Sequence, residues 1–141
     1  MRFWDTSAII PLVITEVSSS RVKNWLEQDP EVIVWTLTRV ELLSAIARRR
    51  REKPEASAIL MGARRDLLRA WEGWSEITTI EVARGHAERL VQTHPLRAGD
   101  AMQLAAALIA ADNDPVGLEF VTLDSNLANA ADREGFSVLG P

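Results

Sequence analysis

Short apolar runs alternate along this chain with longer segments in which apolar residues return every three or four positions. The short runs are "MRFW" at 1–4, "VIVW" at 32–35, "SEITTI" at 75–80, "EFVTL" at 119–123 and "FSVL" at 136–139. "VIVW" has no polar face, which marks a strand buried on both sides of a parallel sheet. The longer segments carry helical spacing. They are "SAIIPLVI", where Pro11 fits only near the first turn, and "SSSRVKNWLEQD", whose serines are placed to cap. "RVELLSAIARRRRE" follows, with Val40, Leu43 and Ile46 as its stripe, and then "PEASAILMGARRDLLRAWEGW", opened by Pro54 and closed near Gly73. "EVARGHAERLVQTH", the alanine-rich "AGDAMQLAAALIAAD" and "DSNLANAADREG", with Gly135 past its end, complete the set.

Strands alternating with one or two helices predict a three-layer α/β fold, with a central parallel sheet of four or five strands flanked by helices. No repeat, linker or low-complexity tract interrupts it, so residues 1–141 read as a single domain. Sheets of this kind bind ligands beyond the carboxyl ends of their strands. Asp5 ends the first strand there and Asp124 ends a later one. Asp100 opens the alanine-rich helix, and Glu41 falls in the first turn of the helix that follows "VIVW".

Each acid has a plainer use. Asp5 serves equally as an N-cap, Asp100 as a cap or a first-turn charge, and Glu41 as the partner of Thr38 in a capping box. Four of them at one sheet edge repel one another and call for a cation. The absence of cysteine removes thiol and sulfur-zinc chemistry, and it agrees with a cytoplasmic setting. His86 and His94, eight apart on one helix, read as surface or core histidines. An oxygen-only, carboxylate-rich set suits Mg2+ or Mn2+. No serine has a His and Asp partner pattern, which leaves a metal-activated water attacking phosphorus as the chemistry.

Net charge refines the reading. The chain is −4 overall. Residues 1–70 are net +3, however, and residues 71–141 net −7. The basic charge sits in Arg48 to Arg51, Lys53, Arg64, Arg65 and Arg69, the ordinary reading of which is a solvated helix face. Arg48 lies seven residues after Glu41 on the same face, within reach of a phosphate near the acids. Trp71 and Trp74 suit a core or a dimer interface better than base stacking. No signal peptide or membrane span is visible.

Four pieces, "WDTSAII", "LTRVELLSAI", "PLRAGDAMQLAAAL" and "FVTLDSNLANAADREGF", resemble in order and spacing the PIN-domain ribonucleases of the VapC toxin type. The resemblance implies a PIN-like fold and assigns Asp5, Glu41, Asp100 and Asp124 to the four acidic positions, with Asp5, Asp100 and Asp124 on the metal. It gives Ser7 the hydroxyl that supports the metal-bound water, and Arg97 a family basic position that pins a carboxylate or touches RNA. It further implies Mg2+- or Mn2+-dependent cleavage of RNA, a homodimer, and a cognate antitoxin that occupies the acidic groove. Two enzyme alternatives fail on residues. A response-regulator receiver needs a lysine on a late strand, but the lysines are Lys23 and Lys53; a haloacid-dehalogenase-like phosphatase needs an Asp where Ser7 stands. A non-catalytic PIN-like module that binds RNA or protein is the remaining alternative.

Overall fold

Strands of only three or four residues are enough to organise this chain, because both faces of each central strand are buried. A computed structural model describes residues 1–141. Its strands are β1 (Arg2–Trp4), β2 (Val32–Trp35), β3 (Ser75–Ile77), β4 (Glu119–Val121) and β5 (Ser137–Leu139), all parallel in the order β3-β2-β1-β4-β5. Seven helices cover them: α1 (Thr6–Val13), α2 (Ser19–Gln28), α3 (Thr36–Glu52), α4 (Ser57–Trp71), α5 (Ile80–Thr93), α6 (Ala98–Ala110) and α7 (Ser125–Arg133). The predicted three-layer parallel architecture is thus the observed one, with five strands.

The pleat sorts the core into two halves. Phe3, Ile33, Trp35 and Phe120 point to one face, against α5, α6 and α7. Trp4, Val32, Val34 and Val121 point to the other, against α1 to α4. Phe3 stacks on Phe120 with ring centroids 5.4 Å apart, and Phe120 meets Phe136 at 5.7 Å. These rings fasten β1 to β4. Order reverses at this pair, since β2 and β3 lie to one side of β1 while β4 and β5 lie to the other. The β1–β4 crevice is therefore the topological switch point, where open α/β sheets place their ligands.

Local details depart from the sequence reading. Helix α3 starts at Thr36, so Glu41 lies in its second turn and no capping box with Thr38 forms. Thr38 is buried instead, and the inward face is Thr38, Leu42, Ala45 and Ile46, leaving Val40 63% exposed. Pro11 sits in the second turn of α1, not the first. Ser18 occupies the N-cap of α2 without a side-chain bond. Ser19 does the joining: its Oγ donates to the Pro11 carbonyl at 2.7 Å and accepts from the Glu16 N–H at 2.8 Å. Pro54 opens a short 3-10 turn, and α4 begins only at Ser57. Trp71 is buried and Trp74 packs on it, 5.8 Å between centroids, in agreement with the core reading. No helix is long and apolar enough to cross a membrane.

Candidate functional site

Asp5 follows β1 directly, and its N–H donates to the Val121 carbonyl of β4 at 2.9 Å. The residue is 4% exposed. Three donors converge on its Oδ2: the Ser7 hydroxyl at 2.5 Å, the Thr122 hydroxyl at 2.9 Å and the Ser7 N–H at 3.2 Å. None reaches Oδ1. Asp5 is therefore an N-cap of α1, as the plainer reading held, with one oxygen left uncommitted. Ser7 is equally occupied, because its Oγ also accepts from the Leu123 N–H at 2.9 Å. Its hydroxyl orients Asp5 and ties down the exit from β4.

Asp124 caps α7 by accepting from the Leu127 N–H at 2.8 Å. Asp100 stands in the first turn of α6, half-buried, and its carboxyl makes no hydrogen bond within the chain. Glu41 is exposed as a residue, yet its carboxyl oxygens sit against Thr6 and Gln103. The structure thus brings the acids from β1, α3, α6 and the end of β4 to one edge of the sheet.

Electrostatics reflect their proximity. The Asp5 carboxyl is raised above its ordinary value of 3.8, chiefly by burial, with repulsion from Asp100 adding to it against the bonds from Ser7 and Thr122. Burial likewise raises Glu41 above 4.5, helped by Asp5 and Asp100 and opposed by the Thr6 and Gln103 bonds. Asp100 is raised by burial and by Asp124, and the one cation that opposes this is Arg97. Arg97 is exposed at the N-cap of α6. Arg48 is exposed on α3, on the same side as Glu41 and Ser44. Arg49, by contrast, is paired with Glu16.

The donor set fits a hard divalent cation in kind: all oxygen, mutually repelling, with an unengaged Oδ1 on Asp5. It is not a closed cage, since no three acidic or histidine side chains surround one point. Mg2+ suits such an arrangement, because it takes one or two carboxylates and keeps several waters. His94 plays no part; it is buried with Nε2 2.7 Å from Glu134 Oε1, a carboxylate that also accepts from Arg89 at 3.0 and 2.8 Å.

Sequence reasoning passes over the neutral residues that shape the site. Gln103 is the one polar residue buried in α6, with Thr6, Thr38 and Glu41 around its amide. The signal that could have found it is position: a lone polar residue in "AMQLAAAL", one turn after Asp100. Thr122, just after β4, faces Asp5 across the switch point, and only the pairing of β1 with β4 reveals it.

Comparison with known proteins places this fold. Residues 2–133 match the family model described as the PIN domain, and the chain belongs to that family. It is 29% identical over 136 residues to Ribonuclease VapC45 of Mycobacterium tuberculosis (strain CDC 1551 / Oshkosh) and to Ribonuclease VapC49 of M. tuberculosis (strain ATCC 25618 / H37Rv), spanning 96% of this chain and 92% of each relative. This agrees with the VapC-type resemblance of the motifs. Among solved structures, a toxin-antitoxin complex from Klebsiella pneumoniae aligns with a TM-score of 0.70 at 18% identity, over 99% of this chain and 96% of that one. PAE2754 from Pyrobaculum aerophilum aligns at 0.63 and 17%, over 99% and 87%. FitAcB from Neisseria gonorrhoeae aligns at 0.60 and 18%, over 99% and 96%. At these identities the structural likeness concerns the fold.

Proposed function

We propose that this protein is a Mg2+- or Mn2+-dependent endoribonuclease of the VapC toxin type, held in check by a cognate antitoxin and assembled as a homodimer. The observation that carries this is the group of mutually repelling carboxylates at the β1–β4 switch point of a PIN fold. The two M. tuberculosis relatives, named as ribonucleases, support the activity, and the Klebsiella pneumoniae toxin-antitoxin complex, alike in fold, supports the partner.

In this reading Asp5, Asp100 and Asp124 would hold the cation, one or two of them directly and the rest through its waters, and the cation would supply a water of lowered pKa and positive charge against the phosphodiester. The chain's own residues do the rest. Ser7 and Thr122 fix the Asp5 carboxylate through Oδ2 and leave Oδ1 free. Glu41, with its raised pKa, is the group suited to take up a proton. Arg97 offsets part of the charge on Asp100. Hydrolysis leaves a 5′-phosphate and a 3′-hydroxyl, and no side chain becomes attached.

Mixed cellular RNA incubated with the protein, with Mn2+ or with chelator, followed by mapping of fragment ends, tests the proposal. Cation-dependent fragments with those ends support it. RNA binding without cleavage favours the non-catalytic module, a reading to which the capping roles of Asp5 and Asp124 lend weight. Arg48 is placed to meet an RNA phosphate. Arg48→Ala is expected to weaken binding of single-stranded RNA across sequences and to lower the slope of log K against log salt by about 0.7. Filter binding across a salt series measures this, and an unchanged slope returns Arg48 to the solvated surface.

A further inference from the structure

Gln103 is 1% exposed in the middle of an alanine and leucine face. Its Nε2 carries two hydrogens and faces three acceptors: Thr38 Oγ1 at 2.8 Å, Thr6 Oγ1 at 2.9 Å and Glu41 Oε1 at 3.3 Å. The Thr6 hydroxyl in turn donates to Glu41 Oε2 at 3.2 Å. Glu41 Oε2 thus accepts from Thr6 of α1, while Glu41 Oε1 shares the Gln103 amide of α6 with the two closer threonine hydroxyls as the longest of the three contacts. The opposite end of the amide, Gln103 Oε1, is buried with no partner. An unpaired buried polar atom is unfavourable, and an apolar side chain here would avoid it. An apolar side chain would also leave the fully buried Thr38 hydroxyl without its amide partner, so stability explains the Thr38 contact but not the amide's reach to Thr6 and Glu41. A glutamate on the exposed side of a helix, left to itself, samples many rotamers. A bracket on both oxygens removes that freedom at the group suited to handle the proton.

We propose that Gln103, together with Thr6, is a positioning residue of the ribonuclease site, fixing the Glu41 carboxylate relative to Asp5 and Asp100 across α1, α3 and α6. This rests on the ribonuclease reading above. Gln103 does not touch the RNA; it acts through Glu41.

Gln103→Met tests it, since methionine keeps the volume and unbranched shape and removes the donor. With RNA and Mn2+ supplied, kcat is expected to fall about 10- to 100-fold with KM unchanged, the signature of a misplaced group that matters only in the transition state. Glu41→Gln has its own loss, read at enzyme excess so that residual rates are measurable. Adding Gln103→Met to Glu41→Gln should cost nothing further, because no carboxylate remains to be placed. Thr6→Val removes the other half of the bracket from a half-buried position and should reproduce the kcat loss, so the test stands even if Gln103→Met fails to fold. Full kcat in a folded Gln103→Met or Thr6→Val protein overturns the proposal, as does an equal loss in the Glu41→Gln background. A parent protein that does not cut RNA overturns the ribonuclease reading itself.

Discussion

Asp100→Asn is expected to lower RNA cleavage about a thousandfold or more while the protein stays folded. The substitution keeps the shape of the side chain and removes its charge. It breaks no cap, because the Asp100 carboxyl makes no hydrogen bond within the chain. It gives up a favourable first-turn interaction with the helix dipole, about 0.3–1 kcal/mol at exposed sites. It also relieves the repulsion and burial that hold the Asp100 carboxyl above its ordinary value. The metal-free variant should therefore melt no lower than the parent. Asp5→Asn should abolish cleavage to a similar degree, at greater risk to the fold, because its Oδ2 accepts three hydrogen bonds. End-labelled RNA and circular dichroism melts measure both effects. Near-parental cleavage by a folded Asp100→Asn protein would falsify the placement of the cation.

The same carboxylates set how stability depends on pH. Asp5, Glu41 and Asp100 all have folded-state pKa values raised above 3.8, 4.5 and 3.8. A group raised on folding contributes stability that is present in full below its unfolded pKa and disappears as pH rises through its folded pKa. Chelator-treated protein should thus melt higher in mildly acidic buffer than in neutral buffer. Asp29, beside the N-terminal amine, and Glu134, beside Arg89, are lowered and act in the opposite sense. Their contribution is lost only as pH falls below 3.8 and 4.5, so the two windows separate. Mn2+ should restore stability at neutral pH, by about 2.7 kcal/mol at 100 times its dissociation constant. Asp100→Asn should leave the metal-free melting temperature no lower and shrink the Mn2+ gain. A chelated protein whose melting temperature is flat from mildly acidic to neutral pH, and which Mn2+ does not move, would show that these acids are caps and surface charges only.

The layered parallel fold is readable from alternation alone, because apolar strands and helical stripes have different periods. Strand order is not. It depends on which crossover carries the chain past β1, and the long α5–α6 connection to β4 leaves no local mark. The phase of α3 also escapes: the spacing starts this helix at Arg39, yet Thr36 to Thr38 are already helical, with Thr38 turned inward onto Gln103. Acids at strand ends stand out because Asp and Glu are rarely put there without a use. Gln103, Thr6 and Thr122 do not, because neutral polar residues carry no charge pattern. Their meaning lies in contacts 35 to 117 residues away in sequence.

Under the nuclease reading, the reversal of strand order at β1 also governs when the site can first form during synthesis. Asp5 leaves the ribosome well before the strand that seals it, and the Thr122 hydroxyl that holds its carboxyl comes 117 residues later. A nascent chain that has emerged only as far as α4 has Asp5 and Glu41 without Asp100, Asp124 or the β4 edge. It holds half of the acids and no crevice. Under the nuclease reading, a ribosome making this protein works beside an unarmed polypeptide until β4 and α7 appear near the end of the chain, which leaves the interval for an inhibitor to be waiting.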